Sequence, residues 1–433
     1  MLLRESLQRR ICRTGFCLLC VLPTAGVLGY CASRKLPSHT PKCERELSER
    51  FGLRARLVAV SYPQPGLTRY EGLQLADAET DETALRCTWL EVERVDGRLV
   101  VSVGQPEIET DRLDLVWELL LRRLRRELAG ESRLRLTPCQ LTLRSRDGSQ
   151  TYDDVCGEIE PTDQGEAIEI HFRVAGTDDA EVASLHIVRD RSKSVPATRM
   201  ELDTGGGALP VSIFAPLADV AAWLGGGARF AGALWVDEAA DGWNAEVTGH
   251  LLGVDLQTLI GDHFPHQLDG GADLEIGKAL VRRGRLIAAN GTFRAGPGTI
   301  GTSLVAAAVE SLDCRAGKID RDLNAVAFEE LAFHFRIGAG GLMLSGACKS
   351  VETRPTVLVG TAGRVLLGPP PEGSVPPVIG LVRMLVPQSE VQVPATRETI
   401  ALIGFLPIPP IVPANGAEGR PRAGRLRLTP STD

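Results

Sequence analysis

At 433 residues the chain is long enough for two or three ordinary domains or one elongated one. An apolar fraction of 43% with 24% charged residues is that of a globular protein and excludes a disordered chain. The net charge of −7 argues against a general nucleic-acid binder, which needs a basic face to displace counterions from phosphate.

Residues 1–13 carry Arg4, Arg9, Arg10 and Arg13 and are expected to form a short cytoplasmic N-terminus. Twenty charge-free residues follow, from Thr14 to Ser33. A helix of about 20 residues spans a hydrocarbon core of about 30 Å, and a proline such as Pro23 is tolerated inside a membrane helix. The expectation is a single transmembrane anchor at 14–33, with basic residues on both flanks giving a mild positive-inside bias. Two alternatives also export the body. One is a cleaved signal ending at Cys31-Ala32-Ser33; the other is a lipoprotein signal using Cys31, for which Tyr30 is a poor neighbour.

Residues 34–51 read as a charged, Pro-containing linker. An N-terminal β region is expected at 52–205. Ile168, Ile170, Phe172 and Val174 alternate with Glu169, His171 and Arg173, and Leu99, Val101 and Val103, then Leu141 and Leu143, repeat the period of two. Asp96-Gly97, Asp147-Gly148 and Asp241-Gly242 are hairpin signals, so strand pairing should be largely antiparallel. One helix interrupts the strands at 111–129. Leu113, Val116, Trp117, Leu120, Leu121, Leu124 and Leu128 lie at helical spacing, with Thr110 and Gly130 placed to cap it. Such a face more often covers a sheet or plugs a sheet edge than lies on a membrane.

A second β region is expected at 206–413, with strands continuing to about Phe405 and short helices at Pro216–Leu224, Thr302–Leu312 and Val378–Leu385. A weak repeat runs through it. Leu217 to Gly249 and Leu256 to Gly291 each read helix, turn and strand pair, and a third hairpin spans Phe328 to Gly346. The polar residues 414–433 read as a disordered tail. The fold class is therefore mainly β. It is an elongated, curved antiparallel sheet forming a groove or a sandwich-like body, with a few short helices and the N-terminal span.

The chemistry-bearing motifs are few. Gly296-Pro-Gly-Thr-Ile-Gly301 matches G-x-G-x-x-G, but its preceding strand is polar on one side and no βα series surrounds it; a tight turn before a helix is the reading. Asp262, His263, His266 and Asp269 suggest a metal cluster, yet Pro265 breaks helical presentation, and a surface loop is expected. Ten cysteines lack zinc spacing; a Cys139–Cys156 bridge across a hairpin is conceivable in an oxidising compartment. Asn290-Gly-Thr is a glycosylation sequon by pattern alone. No catalytic, cofactor-binding or metal-ligating set emerges, so no enzyme is expected.

Several segments together resemble the AsmA-like envelope proteins. They are Tyr62-Pro-Gln-Pro-Gly66, Tyr70-Glu-Gly-Leu-Gln-Leu75, Gly284-Arg-Leu-Ile-Ala-Ala-Asn-Gly291 and Gly298-Thr-Ile-Gly-Thr-Ser-Leu-Val-Ala-Ala-Ala, followed by Phe328–Ile337 and Gly341-Leu-Met-Leu-Ser-Gly346. The likeness is strongest over 210–368, and its motifs are built of common residue types. It implies an inner-membrane, single-pass protein whose body lies in the periplasm as a β groove, apolar inside. Phospholipid would be its ligand, inner-membrane lipids would hold its anchor, and envelope-assembly proteins would be its partners; nucleic acid would not. The expected role is binding or transferring lipid. A non-catalytic structural or assembly component of an envelope or secretion machine is the alternative.

Overall fold

The computed structural model describes residues 13–34, 39–125, 133–145, 148–163, 165–176, 181–192, 195–214, 220–239, 242–318, 323–349, 355–386 and 397–407. The expected cytoplasmic residues 1–12 and the tail at 414–433 lie outside them. Strand accounts for 51% of the structure and helix for 25%, so the mainly β expectation holds. All described strands join one hydrogen-bonded sheet.

The first strands come in bent pairs: β1 (Arg54–Arg56) and β2 (Ala59–Ser61), β3 (Leu67–Glu71) and β4 (Gln74–Ala76), β5 (Thr83–Arg86) and β6 (Trp89–Val95), β7 (Arg98–Gly104) and β8 (Glu107–Glu109). Each pair is one chain segment with an interruption near its middle, and the four segments form an antiparallel meander. Asp96 and Gly97 both have positive φ, at 49° and 78°, as a tight hairpin turn between β6 and β7 requires.

A 3₁₀ turn at Thr110–Arg112 leads into the expected amphipathic helix, which runs Leu113–Arg125; residues 126–132 are not described. Glu109, rather than Thr110, is the N-cap position, and it makes no side-chain capping bond. The helix is a crossover, so the next strand, β9 (Leu134–Ser145), pairs parallel to β7 and β8. These are the only parallel pairings among the described strands; antiparallel order holds elsewhere.

From there the strands follow one another across the sheet: β10 (Gly148–Thr162), β11 (Gly165–Val174), β12 (Ala183–Asp190), β13 (Ala197–Asp203), β14 (Leu209–Pro210), β15 (Arg229–Ala239) and β16 (Gly242–Asp255). The ladder continues through β17 (Leu268–Asp269), β18 (Gly271–Arg282), β19 (Arg285–Ala295), β20 (Gly298–Gly301), β21 (Arg315–Ala316), β22 (Ala325–Gly338), β23 (Gly341–Gly346), β24 (Leu358–Gly360) and β25 (Val365–Gly368). β15 pairs with β16 along its length, the pairs β18–β19 and β22–β23 close through short turns, and the connections between these hairpins carry helices. This is the hairpin periodicity that the sequence repeat implied.

Three segments depart from the sequence reading. No helix among the described residues is long and apolar enough to cross a membrane. The expected span is divided into helical residues 13–16, a π turn at Cys17–Val21 and the helix α1 (Leu22–Arg34). Pro23 is the physical reason. It lacks an N–H and crowds the preceding turn, so the ladder widens and the Leu22 N–H bonds Cys17 O instead. Second, residues expected to be a linker form α2 (His39–Phe51). Cys43 and Leu47 are buried on β1 and β2, a stripe hidden in the sequence among six charged residues of the segment 39–51. Third, the described strands do not reach Phe405; the last is Val365–Gly368, and beyond the expected helix, seen at Ile379–Leu385, lies another at Arg397–Phe405.

The apolar face of the sheet is filled. Leu113, Trp117 and Leu124 of the crossover helix, now α3, join Ile168, Ile187, Leu202, Phe230 and Leu286 in one contact cluster, together with Val378, Val382 and Leu406. Leu124 and Ile187 are fully buried. The Trp117 indole donates to Ile213 O at 2.8 Å and the Arg191 guanidinium to Leu124 O at 2.7 Å, tying α3 to the segments it covers. A second cluster packs the short helices at Thr302–Leu312 and Ile379–Leu385 on β18 to β25. The described strands thus form a single sheet, whose apolar side chains pack with those of the helices in two large buried clusters. Trp117→Ala should destabilise the protein by about 3–5 kcal/mol through the lost ring and the cavity left behind. Urea unfolding reads this as a lower midpoint at unchanged slope; a cost below about 1 kcal/mol would remove α3 from the core.

Candidate functional site

The helical N-terminal segment is almost wholly uncovered. Phe16, Leu18, Leu19, Leu22, Val27 and Leu28 are each more than half exposed, Leu19 at 80%. Thr24 donates to Cys20 O at 2.6 Å, supplying a bond to a carbonyl near the proline break. At its C-terminal end the Arg34 guanidinium sits 3.8 Å from the Tyr62 ring centre. The Tyr62 hydroxyl is hydrogen-bonded to His39 Nε2 at 2.6 Å, and Cys43 Sγ lies 3.6 Å from the same nitrogen. Arg34 and the loop Tyr62–Thr68 enclose a small cleft of 340 Å³. Helix α2 is fastened to the sheet below by Glu44, which accepts from Leu57 N at 2.8 Å, and by Ser48, which accepts from Ala55 N at 2.9 Å.

A cysteine beside a histidine invites a nucleophile reading, but burial, helped by Glu46, pushes the Cys43 thiol up rather than down. Burial likewise pushes Cys87, Cys314 and Cys348 up to about 11. None of these thiols has the depressed value that a reactive thiolate needs, and they behave as small buried hydrophobes.

The larger cleft, 520 Å³, lies across β18, β19, β22 and β23 near their turns, with Val375 at its margin. Lys278, Asn290 and Arg336 line it together with Leu280, Ala288, Met343 and the glycines 338, 340 and 341. Lys278 is ion-paired to Glu246 at 2.7 Å. Nothing in the sequence alone brings these residues together, because their contact depends on the register of four strands.

The sequence-marked motifs resolve as structure. Gly298–Gly301 is an antiparallel strand, β20, paired to β22 and to β17, and the helix Thr302–Leu312 follows it. A Cβ at Gly298 would strike Asp269 O and the Phe328 ring, so close packing explains that glycine without a phosphate. His263 and His266 part company. His263 stacks on Trp223 with centroids 4.1 Å apart, whereas His266 is buried and bonded through Nδ1 to Ser303 Oγ at 3.1 Å. The segment is a loop, as expected, but the His266 side chain is buried in it, against Ser303 and the Met384 backbone. Among the described residues no group of three His, Cys, Asp or Glu side chains is placed to hold a metal. Cys139 and Cys156 are free thiols, and Cys139 donates to Val155 O at 3.4 Å. Asn290, of the sequon, faces the large cleft.

No family model matches the chain, and no curated protein matches it.

Burial lowers the His266 pKa from its ordinary 6.5, with the Met384 backbone opposing in part. A histidine held neutral in the fold stabilises fully above 6.5, and that stability is lost as pH falls from 6.5 through the lowered folded value. His266→Asn should flatten the loss of thermal stability between about pH 7 and pH 5. A parallel pH profile in the variant would assign the acid sensitivity elsewhere.

Proposed function

We propose that this chain is an AsmA-like, membrane-tethered periplasmic protein that binds or transfers lipid in envelope biogenesis without catalytic turnover. The exposed apolar segment from Phe16 to Leu28 is the observation that carries the reading. None of the described residues covers it, and a bilayer is an environment in which so large an apolar surface is stable. Helical backbone runs from residue 13 to 34 when the π turn is included, a path of about 33 Å at 1.5 Å per residue, comparable to the hydrocarbon thickness. Arg13 and Arg34 then lie at the two interfaces, and the arginines before residue 13 favour a cytoplasmic N-terminus. Residues 14–33 are the span in this reading, and the sheet lies in the periplasm.

The sheet supports a lipid role through its long strands, which reach 15 residues in β10 and 14 in β16 and β22. Access to their apolar face requires α3 to move aside, since Leu124 is fully buried there. That packing also favours a second reading: a rigid, non-catalytic component of an envelope or secretion machine, held near the membrane by the same anchor.

Two measurements test the proposal. Leu19→Arg with Val27→Arg should release the chain from carbonate-washed membranes, because each central charge costs about 2.5–3.5 kcal/mol on insertion. Retention of the double variant would deny the anchor. Mass spectrometry of the purified full chain should show co-purifying phospholipid, and lipid-free protein bound to defined envelope partners would favour the second reading.

A further inference from the structure

The geometry points to the 520 Å³ cleft as a binding site for one anionic phospholipid, on the opposite side of the sheet from the helix-filled core. This rests on the lipid reading above and adds to it a second, outer-face site, distinct from the apolar face that α3 covers.

Strand register builds the site. Lys278 pairs with Asn290, Asn290 with Arg336, and Arg336 with Met343, so these four side chains form one row across β18, β19, β22 and β23. Directly opposed residues share a face, about 4.8 Å from strand to strand. Their backbone neighbours Ala279, Ala289 and Ile337 belong to the helix-packed core, which places the row on the outer face. The register shift between Ile276 and Lys278 helps set this alignment, leaving Gly277 out of the pairing.

The row presents an ammonium, an amide and a guanidinium in sequence. Lys278 is held by Glu246, but the side chains of Arg336 and Asn290 make no hydrogen bond or ion pair with any described residue. An arginine beside an amide matches the fork-like recognition of phosphate oxygens. Two residues nearer the turns lies a second row, Leu280 paired with Ala288 and Gly338 paired with Gly341. Its side chains are small or apolar, and Val375, 44% exposed, and Met343, 49% exposed, extend it. A Cβ at Gly338 or Gly340 would meet nothing within 4 Å, so the space above these glycines is open. Donors beside an open apolar shelf fit a molecule with an anionic head and a hydrocarbon body. The volume lies in the range of about 300–1,000 Å³ typical of small-molecule sites. A soluble anion would leave the shelf unused, and an uncharged lipid would leave Arg336 unanswered.

The test uses the full chain in detergent with diazirine-labelled phosphatidylglycerol, and labelled phosphatidylcholine as the comparison. Cross-links are mapped by peptide mass spectrometry. Labelling should fall on peptides bearing Met343 or Val375 and be about tenfold stronger for the anionic lipid, a difference of about 1.4 kcal/mol. Arg336→Glu should reduce it about tenfold by charge reversal, and Gly338→Trp should reduce it similarly by occupying the shelf. Both variants should keep the circular dichroism and the anchor labelling of wild type. Labelling confined to residues 13–34, or unchanged in both variants, would overturn the site. If phospholipid still co-purified in that case, the cleft would fail while the lipid reading stood; absence of any bound lipid would sink both.

Discussion

Everything in this structure follows from the need to cover one apolar sheet face. Alternating residues such as Ile168, Phe172 and Val174 put hydrocarbon on one side of β11 and charge on the other. A sheet so patterned is not stable with that side in water. Helices inserted between strands provide the cover. The crossover helix α3 contributes Leu113, Trp117 and Leu124, and the C-terminal helices contribute Val382 and Leu406. Because α3 must travel back across the sheet, it also imposes the parallel pairing of β9 with β7 and β8.

The chain is correspondingly asymmetric about the sheet. Short turns join β18 to β19 and β22 to β23, and helix-bearing connections run between the hairpins. The helices pack into the buried clusters, and the opposite face carries the exposed Lys278, Asn290 and Arg336 beside small and apolar side chains. On that outer face Lys278, Asn290 and Arg336 align only because three hairpin strands and β23 hold their register. Arg34, Tyr62 and His39 link the apolar N-terminal helix to α2 and so to the sheet. That helix is therefore held to the body by packed side chains.

Much of the fold was legible in local pattern. Period-two alternation located the strands, Asp96-Gly97 located a turn whose two residues adopt positive φ, and Thr302–Leu312 was readable as a helix from its apolar run. What escaped depended on partners distant in sequence. Periodicity showed that α3 had an apolar stripe but not that Ile213 O would receive its indole proton. Cys43 and Leu47 lay among charges and behind Pro41, so α2 read as a linker, although a proline in the first turn of a helix is harmless. The π turn before Pro23 divided a span that composition drew as continuous. The candidate cleft was invisible, since Asn290 and Arg336 are joined only by strand pairing.

The filled core and the uncovered N-terminal helix together define the central claim: a membrane-tethered body that handles lipid without chemistry. Phospholipid exchange tests it most directly. Donor vesicles carrying a fluorescent phospholipid and unlabelled acceptors are mixed with the full chain inserted in one population, and dequenching is followed over time. The account predicts faster transfer with the chain than with empty vesicles. Transfer indistinguishable from the protein-free rate, by a chain that also purifies without bound phospholipid, would contradict it and leave a rigid assembly component as the role.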